Sequence, residues 1–317
     1  MIPVEWVEQA RQRIGPYVKL TPVTQDTQLG LTFKWENRQV TGSFKARGAT
    51  NKLLSLLDWE RQQGVVACST GNHGQGVAYA CQVSGSTCTI FVPQDSPPAK
   101  LRAMRARGAE VRNVAGGYEE AERAAIEFAQ EYRKVFVSPY NDGQVIAGQA
   151  TVMHEILEQT GGLEAFDAIL VPVGGAGLIS GIGCLLEVRR NRPKLIGVQP
   201  EASPYAHQFM LTGTQSGVHE RSTIAEGLAG AIDAQAITLP MLKRYADDIV
   251  LVTEDEIRAA IAHAWYKYGQ YLEGSAAVSL AARLTGKIQA QSALCILTGG
   301  NIEPELFDDI TREFKHG

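Results

Sequence analysis

Val65-Val66-Ala67-Cys68-Ser69-Thr70-Gly71-Asn72-His73-Gly74-Gln75-Gly76 decides the fold. An apolar run breaks into small polar residues and glycines, then passes into a helical pattern over 72–83. Short apolar runs bounded by glycine read as buried strands, so this is a strand handing over to a helix through a tight turn. The hand-over recurs where Ala168-Ile169-Leu170-Val171 runs into Pro172-Val173-Gly174-Gly175-Ala176-Gly177-Leu178. It occurs again where Ala293-Leu294-Cys295-Ile296-Leu297 runs into Thr298-Gly299-Gly300-Asn301. Backbone amides at such turns converge on anions, and glycine lets the chain approach a phosphate or carboxylate closely.

Outward from residue 65 the pattern alternates. It predicts strands at 65–68, 87–92, 110–113 and 135–137, with helices at 72–83, 97–107 and 118–132. A second series follows: helix 143–160, strand 168–173, helix 177–190, strands 194–198 and 248–252, helices 254–268 and 275–285, and strand 293–297. Short strands alternating with longer helices imply α/β architecture, with parallel sheets covered on both faces. Thr253-Glu254-Asp255-Glu256 has the form of a capping box. Residues 199–235 are the least regular and read as a loop carrying short helices.

Upstream stands Thr41-Gly42-Ser43-Phe44-Lys45-Ala46-Arg47-Gly48-Ala49. Ser43 reads as an N-cap, which puts Lys45 in a first helical turn, where the helix dipole disfavours a cation. A partly desolvated lysine there loses its proton more easily, and a neutral amine is what a Schiff base needs. Three anion-binding turns and one poised lysine suggest an aldehyde cofactor that carries a phosphate.

Composition narrows the class. Lys and Arg number 30 against 34 Asp and Glu, a net charge of −4 that favours neither nucleic acid nor an anionic membrane. No apolar run approaches the ~18 residues of a membrane span. The N-terminus lacks the basic-then-apolar plan of a signal peptide. Cys68, Cys81, Cys88, Cys184 and Cys295 are scattered, several within apolar patterns, and read as buried reduced thiols of a cytoplasmic protein. A nicotinamide-binding Rossmann protein is the competing class. Gly71-x-x-Gly74-x-Gly76 has the wrong spacing for its fingerprint, and Gly174-Gly175-x-Gly177 lacks the trailing glycine.

Five segments, in order, resemble the fold-type II pyridoxal-phosphate enzymes, specifically the serine/threonine dehydratases and serine racemases. They are Ser43–Ala49, Ser69–Gln75, Pro172–Leu178, Glu273-Gly274-Ser275 and Thr298–Asn301. The resemblance implies a two-lobed molecule with parallel-rich twisted sheets flanked by helices. Residues 59–142 would form a small mobile lobe inserted into a large lobe made of 1–58 and 143–317. It makes Lys45 the Schiff-base lysine and the base for the substrate's α-proton. Phe44 would pack on the cofactor ring, Asn72 bond its 3-oxygen, and Thr298 meet its pyridine nitrogen, with Glu273 near the ring. Gly174, Gly175, Ala176, Gly177 and Leu178 would cradle the phosphate. Ser69, Thr70, Gly71, Asn72 and His73 would grip the substrate carboxylate, with His73 shaping the loop rather than acting as a base. Ala176 stands where the family usually has glycine. A left-handed alanine costs on the order of 1–2 kcal/mol, so an ordinary negative φ is expected there.

Asn72-His73-Gly74 points, within that family, to the hydroxy-amino-acid dehydratases. The expected reaction is loss of water from L-threonine or L-serine to a 2-oxo acid and ammonia, by a cytoplasmic homodimer. The alternatives are a dehydratase for 3-hydroxyaspartate or a related hydroxy amino acid, and a serine racemase. Thr70 matches the position opposite Lys45 where racemases carry serine; its hydroxyl permits proton transfer, but β-branching restricts it. Only 16 residues follow Asn301, so no C-terminal regulatory domain is expected. Related racemases bind a divalent cation just after the strand ending at Val198. Here Gln199 and Tyr205 replace the acidic residues and Glu201 is out of register, so no tightly held metal is expected.

Overall fold

The structure, a computed structural model, describes residues 1–96 and 98–315. Ten strands are present among them: β1 Val23–Asp26, β2 Leu31–Trp35, β3 Val65–Cys68, β4 Cys88–Pro93, β5 Glu110–Val114, β6 Val135–Phe136, β7 Ala168–Pro172, β8 Lys194–Pro200, β9 Asp248–Val252 and β10 Ala293–Leu297. They form a six-stranded sheet, β1-β2-β10-β7-β8-β9, and a four-stranded sheet, β5-β4-β3-β6. Every pairing is parallel except β1 with β2. Parallel strands need crossover connections, and helices supply them on both faces.

The two-residue side-chain period of a strand explains the double covering. On β7, Ile169 and Val171 join one apolar cluster while Ala168 and Leu170 join another on the opposite face. The smaller sheet repeats this, with Val65 and Ala67 of β3 on one side and Val66 and Cys68 on the other. The expected strands and helices are all found. The helix expected over 177–190 stops at Leu186, and the helix expected over 97–107 runs Pro98–Arg105, its first expected position lying outside the described residues. Thr253 Oγ1 accepts from the Glu256 amide at 3.2 Å, and Glu256 returns the bond to the Thr253 amide at 2.7 Å, so the capping box forms. The irregular stretch contains the Tyr205–Thr212 helix and a 3-10 turn at Glu226–Leu228.

The Lys45–Ser55 helix is wedged between the Asn72–Ser84 and Gly143–Thr160 helices. Glycines make the wedge possible. A Cβ on Gly148 would lie 2.6 Å from the Gly48 Cα, and one on Gly76 would lie 3.0 Å from the Lys45 carbonyl oxygen. Behind the helix start, Arg47 is fully buried and donates to Glu36 (2.7 and 2.8 Å) and Glu155 (2.6 and 2.8 Å). Lys34, equally buried, donates to Glu155 at 2.5 Å and to the Thr21 carbonyl at 2.8 Å. Two cations meet two carboxylates, so burial strands no net charge. Losing one partner of such a set costs about 3–5 kcal/mol.

Candidate active site

The 45–55 helix begins one residue later than a Ser43 cap would place it. Its N-cap is Phe44, at φ −58°, ψ −20°, and makes no side-chain capping bond. The expected Ser43 cap is corrected because the Ser43 backbone is drawn into a bridge with Gly299. Two bonds zip the segments together: Phe44 N donates to Thr298 O at 3.0 Å, and Gly300 N to Gly42 O at 2.9 Å. The Ser43 hydroxyl is left buried without a partner. This zipper ties the lysine turn to the third glycine turn.

Lys45 stands at the helix start, with Nζ donating to the Pro139 carbonyl at 3.0 Å and lying 5.2 Å from the Phe44 ring centre. Burial lowers its pKa to about 8, against the opposing pull of the Glu273 carboxylate. Glu273 is displaced the other way: burial raises its pKa to about 7, while the hydrogen bond from Asn72 works to lower it. Asn72 Nδ2 donates to Glu273 Oε1 at 2.6 Å, and Asn301 Nδ2 donates to Asn72 Oδ1 at 2.7 Å. Thr298 is buried beside them. Neither its hydroxyl nor that of Thr70 has a protein partner among the described residues.

The turn after β7 closes tightly. A Cβ on Gly175 would meet the Tyr140 ring at 2.2 Å, one on Gly174 the Gly227 carbonyl at 2.9 Å, and one on Gly177 the Tyr140 Cα at 3.2 Å. Tyr140 is itself held, its hydroxyl accepting from the Asp233 amide at 3.1 Å. Gly227 N donates to Ser275 Oγ at 2.9 Å, which fixes the second wall. Ala176 departs from expectation: its φ is +62° and ψ 10°, in the left-handed region. A left-handed residue is what lets this turn feed the Gly177–Leu186 helix, with the Ala176 carbonyl accepting from Ser180 N at 3.0 Å. Its methyl joins the apolar cluster. At about 0.8 kcal/mol per buried carbon this recovers part of the ~1–2 kcal/mol of strain.

The turn after β3 is looser. Ser69 Oγ accepts from the Gly71 amide at 3.2 Å, and a Cβ on Gly71 would meet nothing within 4 Å. His73 is buried and donates from Nε2 to the Val137 carbonyl at 2.8 Å. Burial, with the Lys45 charge adding to it, drives its pKa down to about 3, so the ring is neutral. β8 runs on past the expected end at Val198 to Pro200, and within it Gln199 spends its side-chain amide on Val173 O (3.0 Å) and His207 N (3.0 Å). Among the described residues no group of three or more His, Cys, Asp or Glu side chains is placed to hold a metal, and no helix is long and apolar enough to cross a membrane. All five cysteines are buried and unpaired.

These residues fit pyridoxal phosphate. The buried amine has a lowered pKa, a glycine turn leads into a helix N-terminus, which suits an anion, and Asn301 bonds Asn72 next to the Thr298 turn that is zipped to the lysine turn. Fold and site together define a two-sheet α/β enzyme with a buried lysine of lowered pKa at the start of a helix. The comparisons agree, and the chain belongs to the pyridoxal-phosphate dependent enzymes, whose family model matches residues 11–299. It is 36% identical to an L-threonine ammonia-lyase of Thermotoga maritima, over 98% of this chain and 78% of that one. It is 34% identical to a serine racemase of Dictyostelium discoideum, over 94% of each. The solved threonine deaminase isoform 2 of Solanum lycopersicum superposes with a TM-score of 0.90 at 29% identity, over 99% of this chain and 88% of that one.

Two residues at the site were not singled out by sequence reasoning. Tyr140 sits in a loop with no motif, and only the walls it forms reveal it. Asn301 closes the Thr298–Asn301 turn and was legible as part of that motif, but not as a partner of Asn72.

Proposed function

We propose that this chain is a threonine/serine ammonia-lyase, which eliminates water from a β-hydroxy amino acid and releases a 2-oxo acid and ammonia. The observation that carries the reading is Lys45, a buried amine with its pKa lowered to about 8, tied through Phe44 and Thr298 to a glycine turn. Lys45 would hold the cofactor and then take the α-proton on Nζ. The amides of Gly174–Leu178 would hold the phosphate at a helix N-terminus, as anions are held there generally. Asn72 would donate to the ring's 3-oxygen and the Thr298 hydroxyl would meet the ring nitrogen, with Phe44 along one face and Glu273 beside Asn72. Bound there, the cofactor supplies an electron sink next to Cα.

Ser69, Thr70, Gly71, Asn72 and His73 would receive the substrate carboxylate, with His73 neutral and holding the loop to Val137. Loss of the α-proton to Lys45 and departure of the β-hydroxyl as water leave an enamine, which hydrolyses to the 2-oxo acid and ammonia. This substrate loop rides on the four-stranded sheet and the phosphate turn on the six-stranded one. That division supports taking 59–142 as the lobe that moves. The enzyme would work as a cytoplasmic homodimer. The free Thr70 hydroxyl favours a second, weaker activity, serine racemisation.

Steady-state ammonia release tests the reading, with L-threonine, L-serine and 3-hydroxyaspartate presented to the pyridoxal-phosphate-loaded protein. Turnover should be highest with L-threonine or L-serine. A loaded protein that releases ammonia from none of them would overturn it.

A further inference from the structure

The orientation of the Asn72 side-chain amide is decided by atoms on either side of it. Asn301 Nδ2 lies 2.9 Å from the Thr41 carbonyl, which can only accept, and 2.7 Å from Asn72 Oδ1. A backbone carbonyl at one end therefore requires the Asn301 nitrogen there, and that nitrogen's second proton requires an oxygen from Asn72. The Asn72 nitrogen must then face the other way, where Glu273 Oε1 accepts at 2.6 Å. The chain of bonds runs Thr41 carbonyl, Asn301, Asn72, Glu273, and reads with one polarity from an obligate acceptor at one end to a carboxylate at the other.

Glycine makes room at both ends. A Cβ on Gly42, whose φ is +75°, would lie 2.5 Å from Asn301 Oδ1. A Cβ on Gly299 would lie 2.3 Å from Glu273 Oε1. The Gly300 N to Gly42 O bond of 2.9 Å keeps the Asn301 turn against the Lys45 turn.

We infer that Asn301 is a positioning residue, which fixes the Asn72 amide so that its second N–H is aimed at the oxygen on the cofactor ring. The inference rests on the reading that Asn72 meets that ring. Without Asn301, the Asn72 carbonyl loses its donor, and the amide can turn its oxygen toward the ring oxygen, acceptor against acceptor.

The test is a double-mutant cycle on cofactor binding by the whole protein. Wild type, Asn301→Ala, Asn72→Ala and the double variant are stripped of cofactor and titrated with pyridoxal 5'-phosphate, following the visible absorbance, with thermal melting of each stripped protein in parallel. Asn301→Ala should weaken binding about 10-fold, the scale of one lost, partly buried hydrogen bond, and move the visible band toward that of Asn72→Ala. The double variant should bind no more weakly than Asn72→Ala, because Asn301 acts only through Asn72. Wild-type affinity in Asn301→Ala, or losses that multiply in the double variant, would overturn the inference. Should Asn301→Ala not fold, Asn301→Ser, which is too short to reach Asn72, takes its place under the same two criteria. A wild-type protein that takes up no pyridoxal phosphate brings down the underlying reading instead, a result separable from the other two.

Discussion

The turns after β3 and after β7 are built from the same kind of sequence and finished in opposite ways. At Gly174–Gly177 every glycine is walled in, by Tyr140 or by the Gly227–Leu228 backbone. At Gly71 the same missing side chain opens onto empty space, and the Gly71 amide is held by a bond to Ser69 Oγ. A walled turn suits an anion that stays, because its amides are fixed before the ligand arrives. An open turn suits one that comes and goes. Two glycine motifs that read alike as sequence thus part company through what packs against them.

Lys45→Ala gives the largest effect and tests what both turns serve. It should abolish the visible absorbance of the loaded protein and ammonia release, with melting unchanged; retention of more than a small residue of activity would remove Lys45 from its role. The comparison itself is broken or sharpened by a matched pair. Gly175→Ala should cost roughly 5- to 150-fold in cofactor affinity, since a Cβ 2.2 Å from the Tyr140 ring forces the wall to move and overpacking typically costs ~1–3 kcal/mol. Gly71→Ala should leave cofactor affinity alone and raise KM for the amino acid. If the two variants lose cofactor equally, the turns do not differ as described.

A third expectation concerns pH. On the proposed role of Lys45, capture of the cofactor would need the neutral amine, whose pKa is lowered to about 8 by burial. Below that value the amine is protonated, so the rate of uptake by the stripped protein should rise with pH through a midpoint near 8. A midpoint close to the ordinary lysine value, about 10.4, would mean the amine is not desolvated. Fourth, L-serine racemisation should increase in Thr70→Ser and vanish in Thr70→Ala, as read by chiral chromatography. Undiminished racemisation in Thr70→Ala would clear Thr70 of that role. The smallest effect belongs to Ala176→Gly. It relieves left-handed strain of ~1–2 kcal/mol but loses a buried methyl and adds freedom to the unfolded chain, so stability should move by less than about 1 kcal/mol. Chemical denaturation measures it.

The strand and helix order could be read from residues because apolar runs and glycines repeat at each hand-over, and β3, β7 and β10 fall where those runs do. The lysine turn was equally plain. Ser43 and Ala176 were misread for one shared reason: both readings used local preference alone. At Ser43 a long-range bridge to Gly299 recruits the backbone before the helix can use the side chain. At Ala176 the turn's direction demands a positive φ, and the methyl is repaid by core contacts that no local pattern displays. Tyr140 lay out of reach because its wall exists only once the loop before the Gly143–Thr160 helix has folded onto the β7 turn.

The place of β10 in its sheet also orders events in time. The four-stranded sheet draws all its strands from 65–136, so it can form while later residues are still being synthesised. The six-stranded sheet cannot, because β10 lies between β2 and β7 and joins strands that do not otherwise touch. Until residues 293–297 leave the ribosome, β2 waits with one edge unpaired, and an unpaired edge is a template for pairing with another chain. Phe44, the neighbour of Lys45, follows β2 and reaches Thr298 only through that same closure, so the lysine turn is completed only after residues 293–297 have been made.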